Sequence, residues 1–271
     1  MPPEYLVFDG DDNLVITTEE LEKLNLELEK MDAVDILKWA VKNFKNLYQE
    51  TAFGPSGNVI LDMLSGIGAK VPLIFIDTLF NFDETIELTK TITEKYGVKM
   101  YTYYPAGVST RSEFIAKYGD KLWETDDAVY DFVVKAEPGQ RAYNELRPNC
   151  IMTGRRRSQQ GDRGKLPVLQ ITPSNFEAGT RQIVKLNPLV SDEWTFQKVR
   201  SYLRAFNVPY NPLLDAGYKS IGDYHSTKPV NDGDDERSGR WSGTNKTECG
   251  LHKDYFTMKK QYIDRINNAK N

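Results

Sequence analysis

KVPLIFIDTLFNFDETIELTKTITEKYGVKMYTYYP, residues 70–105, reads as strand, loop, helix and strand. Its apolar run 73–76 has no polar alternation, as expected of a strand covered on both faces. The segment DETIELTKTITEKYG has the composition of a helix and stops at Gly97, a residue suited to a left-handed cap. VKMYTYYP then supplies a second strand. A strand, a helix and a neighbouring strand form the unit from which parallel sheets are built.

The same alternation extends both ways. Upstream, LYQETAF reads as a strand, GPSGN as a turn and NVILDMLSGIG as a helix with a glycine stop. Downstream, CIMTG is a short apolar strand, and LPVLQI and RQIVKLNPL are two more. TFQKVRSYLRAFN is an amphipathic helix. Pro138 in YDFVVKAEPGQRAY suggests a helix start. The expected fold class is α/β: a mostly parallel central sheet flanked by helices. Residues 1–48 form a helical preface, from TTEELEKLNLELEKM and DAVDILKWAVKNF, that covers the sheet or a partner subunit. Residues 49–227 form the α/β domain. Residues 228–271 form a tail rich in Gly, Asp and Ser, mobile by composition, ending in a helical segment.

The chain has 271 residues, 35 basic against 39 acidic, for a net charge of −4. That balance argues against a nucleic-acid surface, and no apolar run suits a membrane span. The N-terminal segment lacks a secretory layout, so the cytoplasm is expected. Two cysteines and two histidines are too few for a disulfide framework or a thiolate metal site.

Several constellations carry chemistry. In TAFGPSG, Gly54, Ser56 and Gly57, with Phe53 before them, stand between a strand and a helix. Such a loop cradles phosphate with backbone N–H groups, or is simply a tight turn. Asp77 and Thr78 end a strand, where open α/β sheets bind ligands; Asp77 accepts from a ribose hydroxyl or adenine amine, or caps a turn. Phe80 and Phe82 either stack on a base or pack. In TGRRRSQQGDR, Gly154 precedes Arg155, Arg156 and Arg157, with Ser158, Gln159 and Arg163 following. Guanidinium groups bind phosphate in paired bonds; a solvated charge run is the competing reading. Lys135 and Arg141 either face the same anion or pair along a helix.

The tail holds KTECGLH, residues 246–252. Cys150, inside an apolar strand, reads as a small core residue. Cys249 has no apolar periodicity around it and reads as functional. A thiol's ordinary pKa is about 8.5, so nearby cations assist its ionisation; Arg237, Arg240 and Lys246 are candidates. Glu248 would oppose it if it pointed at the sulfur. His252 is a further charge partner.

Together TAFGPSG, LIFIDTLFNFDET, KYGDKLWE, YDFVVKAEPGQRAYNEL, TGRRRSQ, VPYNPLLDAGYKSIGDYHSTKPV, DERSGRWSG and KTECGLH resemble the phosphoadenylyl-sulfate reductases of sulfate assimilation, in particular the fungal type. The resemblance implies an adenine-nucleotide α-hydrolase-like fold with a modified pyrophosphate (PP) loop. It implies thioredoxin-dependent reduction of 3'-phosphoadenylyl sulfate (PAPS) to sulfite and adenosine 3',5'-bisphosphate, on the way to cysteine and methionine. Cys249 would carry an S-sulfonate, Arg237, Arg240, Lys246 and His252 would assist, and reduced thioredoxin or glutaredoxin would be the external donor to a homodimer. Relatives that use adenylyl sulfate carry an iron–sulfur cluster on two cysteine pairs. Here those places read Asp131–Phe132 and Asp223 with His225, so no cluster and no bound cofactor is expected. The alternatives are a cluster-free adenylyl-sulfate reductase, an ATP-using sulfate adenylyltransferase-like protein, and a non-catalytic nucleotide-binding redox module.

Overall fold

The computed structural model describes residues 2–176, 179–243, 246, 248–252 and 254–268. Helices α1 (Thr18–Leu28) and α2 (Ala33–Asn43) precede strand β1 (Leu47–Glu50). Then come α3 (Pro55–Gly66), β2 (Leu73–Ile76), α4 (Asp83–Tyr96) and β3 (Met100–Tyr103). Three helices, α5 (Arg111–Tyr118), α6 (Leu122–Thr125) and α7 (Asp127–Asp131), lead through a π-helical turn, Phe132–Ala136, into α8 (Glu137–Leu146). Strands β4 (Cys150–Met152), β5 (Leu169–Phe176) and β6 (Gly179–Leu186), then α9 (Phe196–Ala205) and α10 (Tyr255–Asn268), complete the chain.

The six strands lie in the order β3-β2-β1-β4-β6-β5, parallel except for the antiparallel β5–β6 pair. The chain runs outward from β1 through β2 to β3, then returns to the other side of β1 with β4. That reversal opens a crevice beyond the carboxyl ends of β1 and β4, where such sheets bind ligands.

Side chains alternate across the sheet. Leu47, Cys150, Met152, Val184 and Leu186 enter one core with α1, α2, α3 and α9. Ile74, Ile76, Ile151 and Ile183 face α8. Helix α1 starts with a capping box between Thr17 and Glu20, and Gly97 ends α4 in the left-handed conformation. The helical preface packs against the sheet through Leu24, Leu28 and Leu37. Among the described residues, no helix is long and apolar enough to cross a membrane.

The structure corrects one local expectation. Pro138 does not start a helix; α7, the π turn and α8 run on continuously from 127 to 146. A mid-helix proline lacks the N–H for the usual ladder and crowds the preceding turn. The π turn shifts the ladder just ahead of it, with the Glu137 N–H donating to the Phe132 carbonyl. This turn also carries Lys135 into the crevice.

Candidate active site

A cavity of about 210 Å³ occupies the crevice. The loop after β1 and the first turn of α3 form one wall with Thr51, Gly54, Ser56 and Gly57; the segment after β4 forms another with Thr153, Gly154, Arg155, Gln159 and Arg163. Phe53 takes a left-handed backbone (φ 56°) and buries its ring against Phe75, at 5.3 Å, away from the cavity. Gly54 is the N-cap of α3 and makes no side-chain cap, and the first turn of the helix lines the cavity. A Cβ on Gly154 would lie 2.9 Å from the Gly57 nitrogen, so the two loops meet only because this position is glycine.

The tail closes the cavity with Glu236, Arg237, Arg240, Cys249 and Leu251. Cys249 is half-buried. Its neighbour Glu248 does not point at the sulfur. It is clamped by Arg163, at 2.5 and 2.9 Å, and by Arg237 at 3.4 Å. Lys246, on the other side, does not line the cavity: it donates to Asp127 at 2.7 Å and lies 2.8 Å from Asp131. Two ion-pair anchors therefore bracket the cysteine. The Cys249 sulfur interacts electrostatically with Lys135, Lys185, Arg237 and Arg240. Burial, followed by repulsion from Arg163, pushes Arg237 down to about 10.

Arg240 presses against Gly222, where an added Cβ would sit 2.2 Å from its guanidinium. Gly222→Ala therefore displaces Arg240 without touching the core. We expect about a hundredfold loss of kcat/KM, the scale of a misplaced active-site group, with an unchanged melting temperature.

One wall of the cavity carries a buried charge network. Lys135 sits 2.6 Å from Asp223 and 3.6 Å from Asp131, and the Thr78 hydroxyl donates to Asp223 at 2.6 Å. Burial disfavours both ions, but their attraction outweighs it: Asp223 is held below the usual carboxylate range and Lys135 above the usual ammonium range. His225 stacks on Trp123 at 4.0 Å and meets the Tyr130 hydroxyl at 2.9 Å. Burial pushes its pKa down to about 4, against the pull of Asp223 and with help from Lys135 and Lys246. The unfolded chain takes up this proton near pH 6.5, the folded protein only near 4. Stability is therefore lost as pH falls through that window, by about 2 kcal/mol after allowance for solvent screening. Urea unfolding of the protein and of His225→Gln across the window checks this; the variant should lack that part of the slope.

The model of the phosphoadenosine phosphosulfate reductase domain matches residues 46–229. A phosphoadenosine phosphosulfate reductase of Emericella nidulans is 48% identical over 244 residues, covering 88% of this chain and 77% of that one. A probable phosphoadenosine phosphosulfate reductase of Schizosaccharomyces pombe is 47% identical over 249 residues, covering 92% and 90%. The crystal structure of a phosphoadenylyl-sulfate reductase from Candida auris, a phosphate complex, superposes with a TM-score of 0.71 at 45% identity, covering 80% of this chain and all of that one. The chain belongs to the phosphoadenosine phosphosulfate reductase family. It is thus one of a family of oxidoreductases, and its fold is α/β, a mostly parallel sheet flanked by helices.

Within this reductase-family cavity the structure gathers Gly54, Ser56, Gly57, Thr78, Lys135, Gly154, Arg155, Gln159, Arg163, Arg237, Arg240 and Cys249. Other residues expected there face elsewhere. The three consecutive arginines diverge, because Arg156 is extended and the chain turns into a single 3-10 helical turn at Arg157. Arg155 faces the cavity and donates to Thr153 at 3.0 Å. Arg156 is fully buried, bound to Ser56, Ser158, the Trp194 carbonyl and Glu236. Arg157 pairs with Glu29 on the far side of the loop. Ser158 donates to the Trp194 carbonyl.

Asp77 caps a turn, accepting from the Leu79 N–H and from Asn81. Arg141 is taken by Glu137 and the Tyr104 carbonyl. Phe80 packs in a core against Phe114 and Trp123, and Phe82 packs on Tyr218. His252 ends a single helical turn, Gly250–His252, and its side chain lies outside the described residues. The sequence reading missed Glu50, Asn81, Thr153, Glu236 and the stretch 219–222 on the cavity wall. Glu236 was hidden in an acidic run. Asp223 was noticed only as a place where cluster-bearing relatives have a thiol; here it holds Lys135.

Proposed function

We propose that this chain reduces PAPS to sulfite and adenosine 3',5'-bisphosphate through a sulfonate carried on Cys249. The observation that carries this reading is the placement of one half-buried thiol beside Arg237 and Arg240, in a cavity floored by a glycine-rich loop and a helix N-terminus. The nucleotide phosphates lie along Gly54–Gly57, with Arg155 and Arg163 opposite. The Cys249 thiolate attacks the sulfonate sulfur. An S–S bond forms, the S–O bond to the phosphate breaks, and its electron pair leaves with adenosine 3',5'-bisphosphate. Arg237, Arg240 and Lys135 offset the charge that shifts between oxygens.

Release of sulfite needs two electrons from a dithiol. A thiolate of that dithiol attacks the Cys249 sulfur, sulfite departs, and the second thiol resolves the mixed disulfide and restores Cys249. Cys150 cannot serve, since it is wholly buried in β4 and burial pushes its thiol pKa well up. The donor is therefore external, of the thioredoxin or glutaredoxin class, and reaching it requires the anchors at Lys246 and Glu248 to let go. The family resemblance further supports a cytoplasmic homodimer in assimilatory sulfate reduction.

Anaerobic incubation with PAPS, without reductant, tests the reading. Intact-mass and peptide analysis should find one sulfonate on the peptide containing Cys249, with one equivalent of adenosine 3',5'-bisphosphate released. Nucleotide turnover with no adduct, or an adduct on Cys150, would sink it. Faster consumption of adenylyl sulfate in a parallel assay would overturn the choice of the 3'-phosphorylated substrate.

A further inference from the structure

Among the described residues, three carboxylates line the cavity: Glu50, Asp223 and Glu236. Two are held by cations at 2.6 Å, Asp223 by Lys135 and Glu236 by Arg156. Glu50 is built differently. It is 8% exposed, and among the described residues its carboxyl takes a single hydrogen bond, 2.8 Å from the neutral Tyr143 hydroxyl to Oε1. Oε2 is buried and has no hydrogen-bond partner there.

The groups that face Glu50 come from several elements. Tyr143 comes from α8 and Arg155 from the loop after β4. Lys185 comes from β6, where the pairing of Tyr48 and Lys185 with Ile151 puts Glu50 and Lys185 on one face of the sheet. The tail brings Cys249 and Arg240 to the same cavity. Among the described residues no cation forms an ion pair with Glu50. Burial raises its pKa, while Lys185, Tyr143 and Arg155 pull the other way. An ionised carboxylate in this position repels any anion that enters, and a proton removes that repulsion.

We propose that Glu50 is a proton-carrying residue of this cavity: when the sulfonated nucleotide binds, Glu50 takes one proton from solvent, so that no second negative charge stands beside the bound anion. The inference rests on the nucleotide-binding reading above. Its consequence is linkage. Above the pKa of Glu50 in the free protein, affinity falls by up to about tenfold per pH unit.

Calorimetry of PAPS binding to the full chain carrying Cys249→Ser tests it. That background stops the thiol chemistry and removes the thiol from the titration. Two buffers of different ionisation heat, over about pH 7 to 9, give the proton count. Uptake approaching one proton per site is expected. Adding Glu50→Gln, which keeps the shape and an N–H donor, should abolish the uptake and flatten the pH dependence. Tyr143→Phe removes a bond that favours the ionised form, so uptake should begin at higher pH. Equal uptake in Glu50→Gln, or pH-independent affinity with no uptake in the parent, overturns the proposal. Adenosine 3',5'-bisphosphate serves as a second probe. If neither nucleotide binds, the functional reading itself fails; if they bind with no proton change, only the role of Glu50 does.

Discussion

Cys249→Ser is expected to lower sulfite release by at least about a thousandfold, the scale of losing a covalent nucleophile. The hydroxyl is a far weaker nucleophile than a thiolate, and an ester-linked sulfate would offer no sulfur for a dithiol to attack. The anchors that seat the tail, Glu248 on Arg163 and Lys246 on Asp127, do not involve the sulfur. Affinity for adenosine 3',5'-bisphosphate should therefore stay within a fewfold of the parent. Sulfite release assayed with excess thioredoxin, beside nucleotide binding, separates the two quantities. Activity within tenfold of the parent would remove the thiol from the mechanism. Cys150→Ser is the matching control and should leave turnover intact.

The second large effect is on stability. Arg156 is wholly buried and gives both Glu236 oxygens a hydrogen bond at 2.6 Å, while also holding Ser56, Ser158 and the Trp194 carbonyl. Removing one member of a buried pair strands the other charge away from water, at a cost of about 3–5 kcal/mol. Arg156→Met should lower stability by that amount in denaturant unfolding. Because Glu236 belongs to the tail and Ser56 to the first turn of α3, the same variant should also lose nucleotide affinity. Arg156→Met combined with Glu236→Leu should recover much of the stability but little of the affinity. If the single variant unfolds like the parent, Arg156 is not the brace described here.

Much of the fold was legible because its signals are local. The uninterrupted apolar run 73–76 needs cover on both faces, and the glycine after 96 needs the end of a helix. The continuous helix through Pro138 was not legible. A proline reads as a breaker unless a π turn precedes it, and here Phe132 of that turn stacks on Tyr255 and Tyr262 of α10, far along the chain.

The site was legible in kind and not in assignment. A lone cysteine in a polar, glycine-rich segment pointed to the thiol that lines the cavity, and of the three arginines after a strand one reaches the same cavity. Which arginine does what depends on direction. Arg155, Arg156 and Arg157 look equivalent in sequence, yet they reach the cavity, the tail's Glu236 and the helical preface's Glu29 respectively. Lys246 resembled a partner for the sulfur, but Asp127 and Asp131 on another element claim it.

By itself the sequence determined the alternation of strands and helices, the glycine-rich loop, and the one cysteine outside the core, since each follows from residues close together in the chain. Only the tertiary structure decided which charges meet. Ion pairs such as Lys135–Asp223 and Arg163–Glu248 join residues 88 and 85 positions apart, and among the described residues Glu50 is set apart from the other cavity carboxylates by lacking such a cation. Burial and partner distance fix the state of a charged group, and neither can be read from its neighbours in the chain.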